Sequence, residues 1–245
     1  MTETSTACGR LLVDTRDNLF TRAATLVADT VAAAPPGRPP VIAFAGGSTP
    51  QDWFRWCATT RALPATVAHG AHFTVSDERH VPTDDPQSNF GHADRLLLDP
   101  LAVPAAHRHP WPVNLLPCAA AENYRATMRS VADSVRAYDL CFLGLGDDAH
   151  TASLFPGSSL LRDDGEALFA AVEVPGKGWR LTITPTGLRA CGLIVVMALG
   201  AAKAPALARV LRGHDDLPNT PAQILKTCAD RVLWLVDAPA AGLLA

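Results

Sequence analysis

Asp148 and His150 stand two residues apart in the segment Gly144-Leu145-Gly146-Asp147-Asp148-Ala149-His150-Thr151-Ala152-Ser153-Leu154-Phe155-Pro156-Gly157. A histidine titrates near neutrality, and a neighbouring carboxylate can orient its ring. The pair therefore has the residue types of general acid–base catalysis. The apolar run Tyr138–Leu143 precedes it and reads as a buried strand. In open α/β sheets, ligands bind outside the carboxyl ends of such strands. A plainer role fits the same residues: Asp, Thr and Ser all cap helices. On these residues alone, a capped loop and a base-bearing loop both stay open.

Other chemistry-bearing residues also follow apolar runs. Gly46-Gly47-Ser48-Thr49-Pro50 joins a short apolar run to a helical pattern. Two glycines let backbone approach a ligand, and a helix start offers N–H groups to an anion. The segment matches neither the Walker pattern nor G-x-G-x-x-G, and a plain tight turn explains it equally well. Ser76-Asp77-Glu78-Arg79 reads as a charged, solvated loop or as a strand-end site in which Arg79 clamps a phosphate. Lys203 follows Leu193–Gly200, and Arg180 opens Arg180–Thr184; each is an exposed surface charge or part of an anion site. His107 and His109 alternate in a Pro-rich loop with no nearby carboxylate or cysteine, a poor metal site.

These residues need a scaffold. Strands are expected at Leu11–Val13, Val41–Ala45, His72–Val75, Tyr138–Leu143, Ala167–Val174, Arg180–Thr184, Gly192–Leu199 and Arg231–Asp237. Helices are expected at Asp17–Ala34, from Ser48 or Thr49 as N-cap with Pro50 near the first position, and at Asn89–Leu98, Ala119–Ala137, Thr186–Ala190, Lys203–Leu211 and Ala222–Thr227. Ala102–Pro117 reads as a Pro-rich surface crossover. The alternation predicts an α/β fold: a mostly parallel, Rossmann-like doubly wound sheet with helices on both faces. With no repeat and no long linker, residues 1–245 read as a single domain.

Composition narrows the function. Apolar residues make up 48% and charged residues 18%, as expected of a globular chain. The net charge of −3 gives no general reason to expect nucleic acid or an anionic membrane as partner. No apolar run is long enough to span a bilayer, and the first residues show no secretory signal pattern. Six cysteines form no C-x-x-C pair; Cys141 and Cys191 fall in apolar strand-like runs and read as core residues. The expectation is a cytoplasmic, reduced, metal-free protein.

Taken together, Ala45–Pro50, Ser76-Asp77-Glu78-Arg79-His80-Val81-Pro82 with Ser88-Asn89, Gly144–Gly157, Arg180–Thr184 and Gly200–Ala204 resemble the 6-phosphogluconolactonase family, in the same order. The resemblance runs from about Leu11 to Asp237 and is most specific at His150–Gly157. It implies hydrolysis of 6-phospho-D-glucono-1,5-lactone to 6-phospho-D-gluconate in the oxidative pentose phosphate pathway, without metal or organic cofactor. It implies that His150 activates water, with Asp148 at the adjacent acidic position and Arg180 near the lactone end. Gly46, Gly47, Ser48, Thr49, Arg79 and Lys203 would line the sugar-phosphate site, and Asp77 would bind sugar hydroxyls. The substrate partner is thus a sugar-phosphate lactone; oligomeric state is open.

The chain departs from the family pattern at Ala149, where Gly is usual. If that position has positive φ, alanine costs about 1 kcal/mol there. Two rivals stay in view: an amino-sugar-phosphate isomerase or deaminase on the same fold, and a non-catalytic sugar-phosphate sensor. Phe155 and Arg79 replace the Glu and Tyr of the deaminase pattern, and a sensor would have no use for His150.

Overall fold

The computed structural model describes residues 2–131, 136–162 and 165–244. Ten strands and seven α-helices follow in chain order among them: β1 (Thr2–Thr6), β2 (Gly9–Val13), α1 (Arg16–Ala32), β3 (Val41–Phe44), α2 (Ser48–Thr60), α3 (Ala65–Gly70), β4 (His72–Val75), β5 (Asp77–Arg79), α4 (Asn89–Ala93), α5 (Pro117–Val131), β6 (Leu140–Gly144), β7 (Phe169–Val174), β8 (Gly178–Ile183), α6 (Pro185–Arg189), β9 (Leu193–Ala198), α7 (Ala204–Arg212) and β10 (Val232–Val236). The continuation of the expected fourth helix through 132–135 lies outside the described residues.

Seven strands form the central sheet in the order β1-β2-β10-β9-β6-β3-β4. All pairs are parallel except β1 with β2. Every residue of β3 and β10 is buried. A strand buried along its whole length has both faces covered, which is why these segments read as continuous apolar runs and not as alternation. From β3 the chain moves to one side for β4 and to the other for β6, β9 and β10, so the order reverses between β3 and β6. A crevice opens at such a switch point, beyond the carboxyl ends of the strands.

Aromatic packing sets the position of α2 over that crevice. Phe44, the last residue of β3, has its ring centroid 5.3 Å from Phe54 and 5.9 Å from Phe142 of β6. Trp53 lies 5.1 Å from Phe142 and donates its indole N–H to Phe20 O at 3.1 Å. All four rings are essentially buried, and burying side chains of this size is worth about 1.5–3 kcal/mol each or more. The start of α2 is thereby held just beyond β3.

The structure departs from expectation in five places. Residues 2–6, where no strand was expected, form an edge strand of polar residues, paired antiparallel with β2. Neither Ser48 nor Thr49 caps α2; Gly47 does, at φ 102, and Pro50 is the third helical residue. Ser76–Arg79 is not a solvated loop: Ser76 passes the chain from β4 into β5, and Asp77 and Glu78 are buried. β5, β8 and β7 make a separate antiparallel sheet, so β7 and β8 are a hairpin and not part of the parallel array. Cys141 and Cys191 are both buried, but Cys191 lies in the turn before β9 rather than in a strand. Asn89–Leu98 is helical as expected, with its second half, Asp94–Leu98, widened to π geometry.

Candidate active site

A cleft of about 230 Å³ lies at the switch point. Gly46, Gly47, Ser48, Asp77, Arg79, His150 and Lys203 all line it. The remaining expected site residues sit just behind: Asp148 against His150, Thr49 in the first turn of α2, and Arg180 across from Arg79.

The His150 loop is built by short-range bonds after β6. Gly146 N donates to His150 O and Ala149 N to Gly146 O, both at 2.9 Å, closing a tight turn. Thr151 Oγ1 ties the loop back to Gly144 O at 3.0 Å. No helix follows, so the helix-cap reading of Asp148 does not hold. Instead Asp148 Oδ1 accepts from His150 N at 3.1 Å and from His150 Nδ1 at 2.5 Å. A carboxylate only accepts, so the proton sits on Nδ1 and Nε2 is left as the basic nitrogen. Burial works to raise the Asp148 carboxyl, but the hydrogen bonds from His150 outweigh it and hold the group below its ordinary value. The Phe155 ring stacks on the imidazole at 4.2 Å. Gly146 is required here: a methyl on it would lie 2.0 Å from His150 Nδ1.

Strain is stored on both sides of the histidine. Ala149 has φ 64 and Ala152 φ 46. Left-handed backbone costs an L-residue about 1–2 kcal/mol. Such conformations persist only where surrounding contacts over-determine them, and Ala149 is fully buried.

The second sheet supplies the opposite wall. Asp77 Oδ2 accepts from Ser153 Oγ at 2.6 Å, and Ser153 N donates to Thr182 Oγ1 at 3.1 Å, fastening the loop after His150 to β5 and β8. Glu78 points away from the cleft and accepts from Arg79 N, Ser88 Oγ, Asn89 N and Phe90 N. Its burial raises the carboxyl above its ordinary value despite those bonds. It anchors the start of α4 and is a structural group, not a ligand. Asn89 is a cleft residue without an expected role. Its Nδ2 donates to Asp77 O at 2.8 Å, while its buried Oδ1 has no hydrogen-bond partner. That oxygen lies against Gly46, where an added methyl would approach it to 1.9 Å. The only sequence signal for Asn89 was its place in the Ser88-Asn89 pair.

Positive charge reaches the cleft from two elements. Arg79 and Arg180 are directly opposed in the β5–β8 register. Like charges opposed across strands repel. Burial lowers the Arg180 guanidinium, and the Arg79 charge adds to the effect. Arg79 donates to Gln87 O at 2.6 Å. Lys203 ends a short 3₁₀ turn after β9, and its Nζ lies 2.7 Å from Asp147 Oδ1. The N–H groups of Ser48 and Thr49, at the start of α2, have no acceptor within the helix. Together these groups suit a phosphate, and His150 lines the same cleft.

Among the described residues, no group of three or more His, Cys, Asp or Glu side chains could hold a metal ion. His107 and His109 do meet a third histidine: His109 Nε2 lies 3.0 Å from His72 Nδ1, and the His72 and His107 rings are 4.8 Å apart. This cluster is away from the cleft.

Residues 14–234 match the sequence family described as glucosamine-6-phosphate isomerases/6-phosphogluconolactonase. The chain is 35% identical over 209 residues to a 6-phosphogluconolactonase of Synechocystis sp., covering 81% of this chain and 82% of that one. It superimposes on the 6-phosphogluconolactonase of Trypanosoma brucei with a TM-score of 0.80 and 25% identity, over 100% of each chain. A monomeric glucosamine-6-phosphate deaminase shares the fold at a TM-score of 0.78 and 21% identity, over 95% of this chain and 99% of that one.

Proposed function

The chain belongs to the glucosamine-6-phosphate isomerase/6-phosphogluconolactonase family, and from that premise we propose that it is the lactonase and not the isomerase. It hydrolyses 6-phospho-D-glucono-1,5-lactone to 6-phospho-D-gluconate, a step of the oxidative pentose phosphate pathway. The observation that carries this reading is the Asp148–His150 pair, which leaves Nε2 unprotonated in a cleft that Arg79 and Lys203 also line.

His150 Nε2 takes a proton from water as the water oxygen bonds to the lactone carbonyl carbon. Asp148 holds the Nδ1 proton and steadies the imidazolium that forms. Collapse of the tetrahedral intermediate breaks the bond to the ring oxygen, which receives the proton from His150. The lactone is an activated ester, so a base and an oxyanion partner suffice without a covalent nucleophile. Arg180 serves the developing negative charge. Asp77 and the unpaired Asn89 Oδ1 accept from sugar hydroxyls. The phosphate lies among Gly46, Gly47, Ser48, Thr49, Arg79 and Lys203.

Phe155 argues against ring-opening chemistry. It stacks flat on His150 at the position where the deaminase pattern carries a glutamate. The reading extends to residues 1–245 as one lactonase unit in the cytoplasm, using no metal, organic cofactor, nucleic acid or membrane. Among the described residues, no helix is long and apolar enough to cross a membrane.

The test compares kcat/KM for phosphogluconolactone and plain gluconolactone, each corrected for spontaneous hydrolysis. Charge-assisted contacts are worth about 1.5–3 kcal/mol each, so wild type should prefer the phosphorylated lactone by several orders of magnitude. Lys203→Ala should narrow that preference. Equal losses on both lactones would remove Lys203 from the phosphate site, and no acceleration of either would end the lactonase reading.

A further inference from the structure

A second cleft of about 600 Å³ opens at the amino ends of the central strands, at the end of the sheet opposite the catalytic cleft. Each of four neighbouring segments delivers one arginine to it. Arg38 precedes β3, Arg136 precedes β6, Arg189 ends α6 before β9, and Arg231 precedes β10. Among the described residues that line it Asp139 is the one carboxylate, and Asp230 reaches Arg231 from outside the lining, so the four arginines outnumber the nearby carboxylates by two.

That carboxylate is already committed. Asp139 Oδ2 accepts from Val41 N at 2.9 Å, and Oδ1 accepts from Arg38 Nη2 at 3.1 Å and Arg136 Nη1 at 3.4 Å. Arg189 Nη2 donates to Thr186 Oγ1 at 2.8 Å, and Arg231 Nη1 to the carbonyls of Arg189 and Cys191 at 2.7 and 3.1 Å. These bonds hold the guanidiniums in place but use few of the five N–H groups each carries. Arg38 Nε is buried with no hydrogen-bond partner; so is Arg231 Nε, which lies 3.2 Å from Asp230 Oδ2 without hydrogen-bond geometry. Buried donors are ordinarily satisfied, and clustered like charges repel. An anion resolves both. Ala34 and Ala190 add an apolar wall, and the volume falls in the range that encloses a small organic ligand.

We propose that this cleft binds a multiply charged organic phosphate of nucleotide size, at a site separate from the catalytic one. Guanidinium groups match phosphate oxygens in pairs. The surplus of charge matches a di- or triphosphate better than a single phosphate.

Calorimetric titration of the whole protein with ATP, pyrophosphate and inorganic phosphate at low salt tests this. The catalytic cleft is itself cationic, so Lys203→Ala serves as control. The expected result is saturable binding of ATP and pyrophosphate, at least about tenfold tighter than inorganic phosphate. That binding should survive Lys203→Ala and weaken at least about tenfold in Arg136→Gln/Arg189→Gln, a change that spares lactone hydrolysis. If the double variant does not fold, Ala33→Glu puts a carboxylate on the same wall with every arginine in place, and it should weaken binding likewise. No saturable binding at millimolar ATP and pyrophosphate would overturn the proposal. So would equal affinity for inorganic phosphate, or binding lost in Lys203→Ala but kept in the arginine or Ala33 variants.

Discussion

Lys203 Nζ lies 2.7 Å from Asp147 Oδ1, one residue before the carboxylate that orients His150. The cation assigned to substrate phosphate is therefore already paired with an acid of the catalytic loop. Asp147 is mostly exposed, at 76%, so the pair is a weak one. Exposed ion pairs are worth about 0–1 kcal/mol. A phosphate dianion competes for Lys203 at close to that cost.

Asp147→Asn should free Lys203 and lower KM for the phosphorylated lactone by up to about fivefold, given the small worth of such a pair. The bond from Arg209 Nη2 to Asp147 O is to backbone and survives the change. Steady-state kinetics of the variant checks this. A raised KM would mean that Asp147 positions Lys203 for the substrate rather than competing for it.

Ala149→Gly should stabilise the protein. Alanine at φ 64 costs about 1–2 kcal/mol, and the greater freedom of glycine in the unfolded chain returns about 0.4–1 kcal/mol of that. The net gain is about 1 kcal/mol, or about 2–4 °C in Tm for a chain of this size. Thermal denaturation of the two proteins reads it directly. A lower Tm would show that the Ala149 methyl contributes more by packing than its backbone loses by strain.

Much of the scaffold was legible. β3, β6, β9 and β10 are apolar runs because both of their faces are covered. The second sheet was not legible, because its evidence is non-local. Asp77-Glu78-Arg79 has the composition of a loop and becomes a strand only by pairing with Thr182, Leu181 and Arg180. Glu78 tolerates burial only because Ser88, Asn89 and Phe90 donate to it from across a loop. The cap of α2 was misplaced for a similar reason: Ser48 and Thr49 have capping side chains, but Gly47 alone takes the φ of 102 that the turn needs. Of the charged residues singled out in the sequence, Asp77, Arg79 and Lys203 line the cleft. Asn89 and Ser153 were missed because their significance is a contact with Asp77, not a residue type.

The histidine cluster should make stability pH-dependent. Burial and the neighbouring His72 and His107 charges push His109 down from 6.5 to about 4, and burial with the His107 charge also lowers His72. The unfolded chain therefore binds more protons than the folded one below pH 6.5. The folded state is favoured above that pH, and the contribution is lost as pH falls from about 6.5 towards about 4. His109→Gln should flatten that part of a plot of denaturation midpoint against pH. An unchanged slope would show that His109 is not the group responsible.

In the proposed mechanism His150 is the base that activates water. The most direct measurement is kcat for phosphogluconolactone with wild type and His150→Ala side by side, corrected for spontaneous hydrolysis, with product affinity measured on both. A positioned general base contributes about 10²–10⁴-fold, so kcat should fall by that factor while product affinity changes much less. A His150→Ala protein that hydrolyses the lactone at close to the wild-type rate would contradict the assignment.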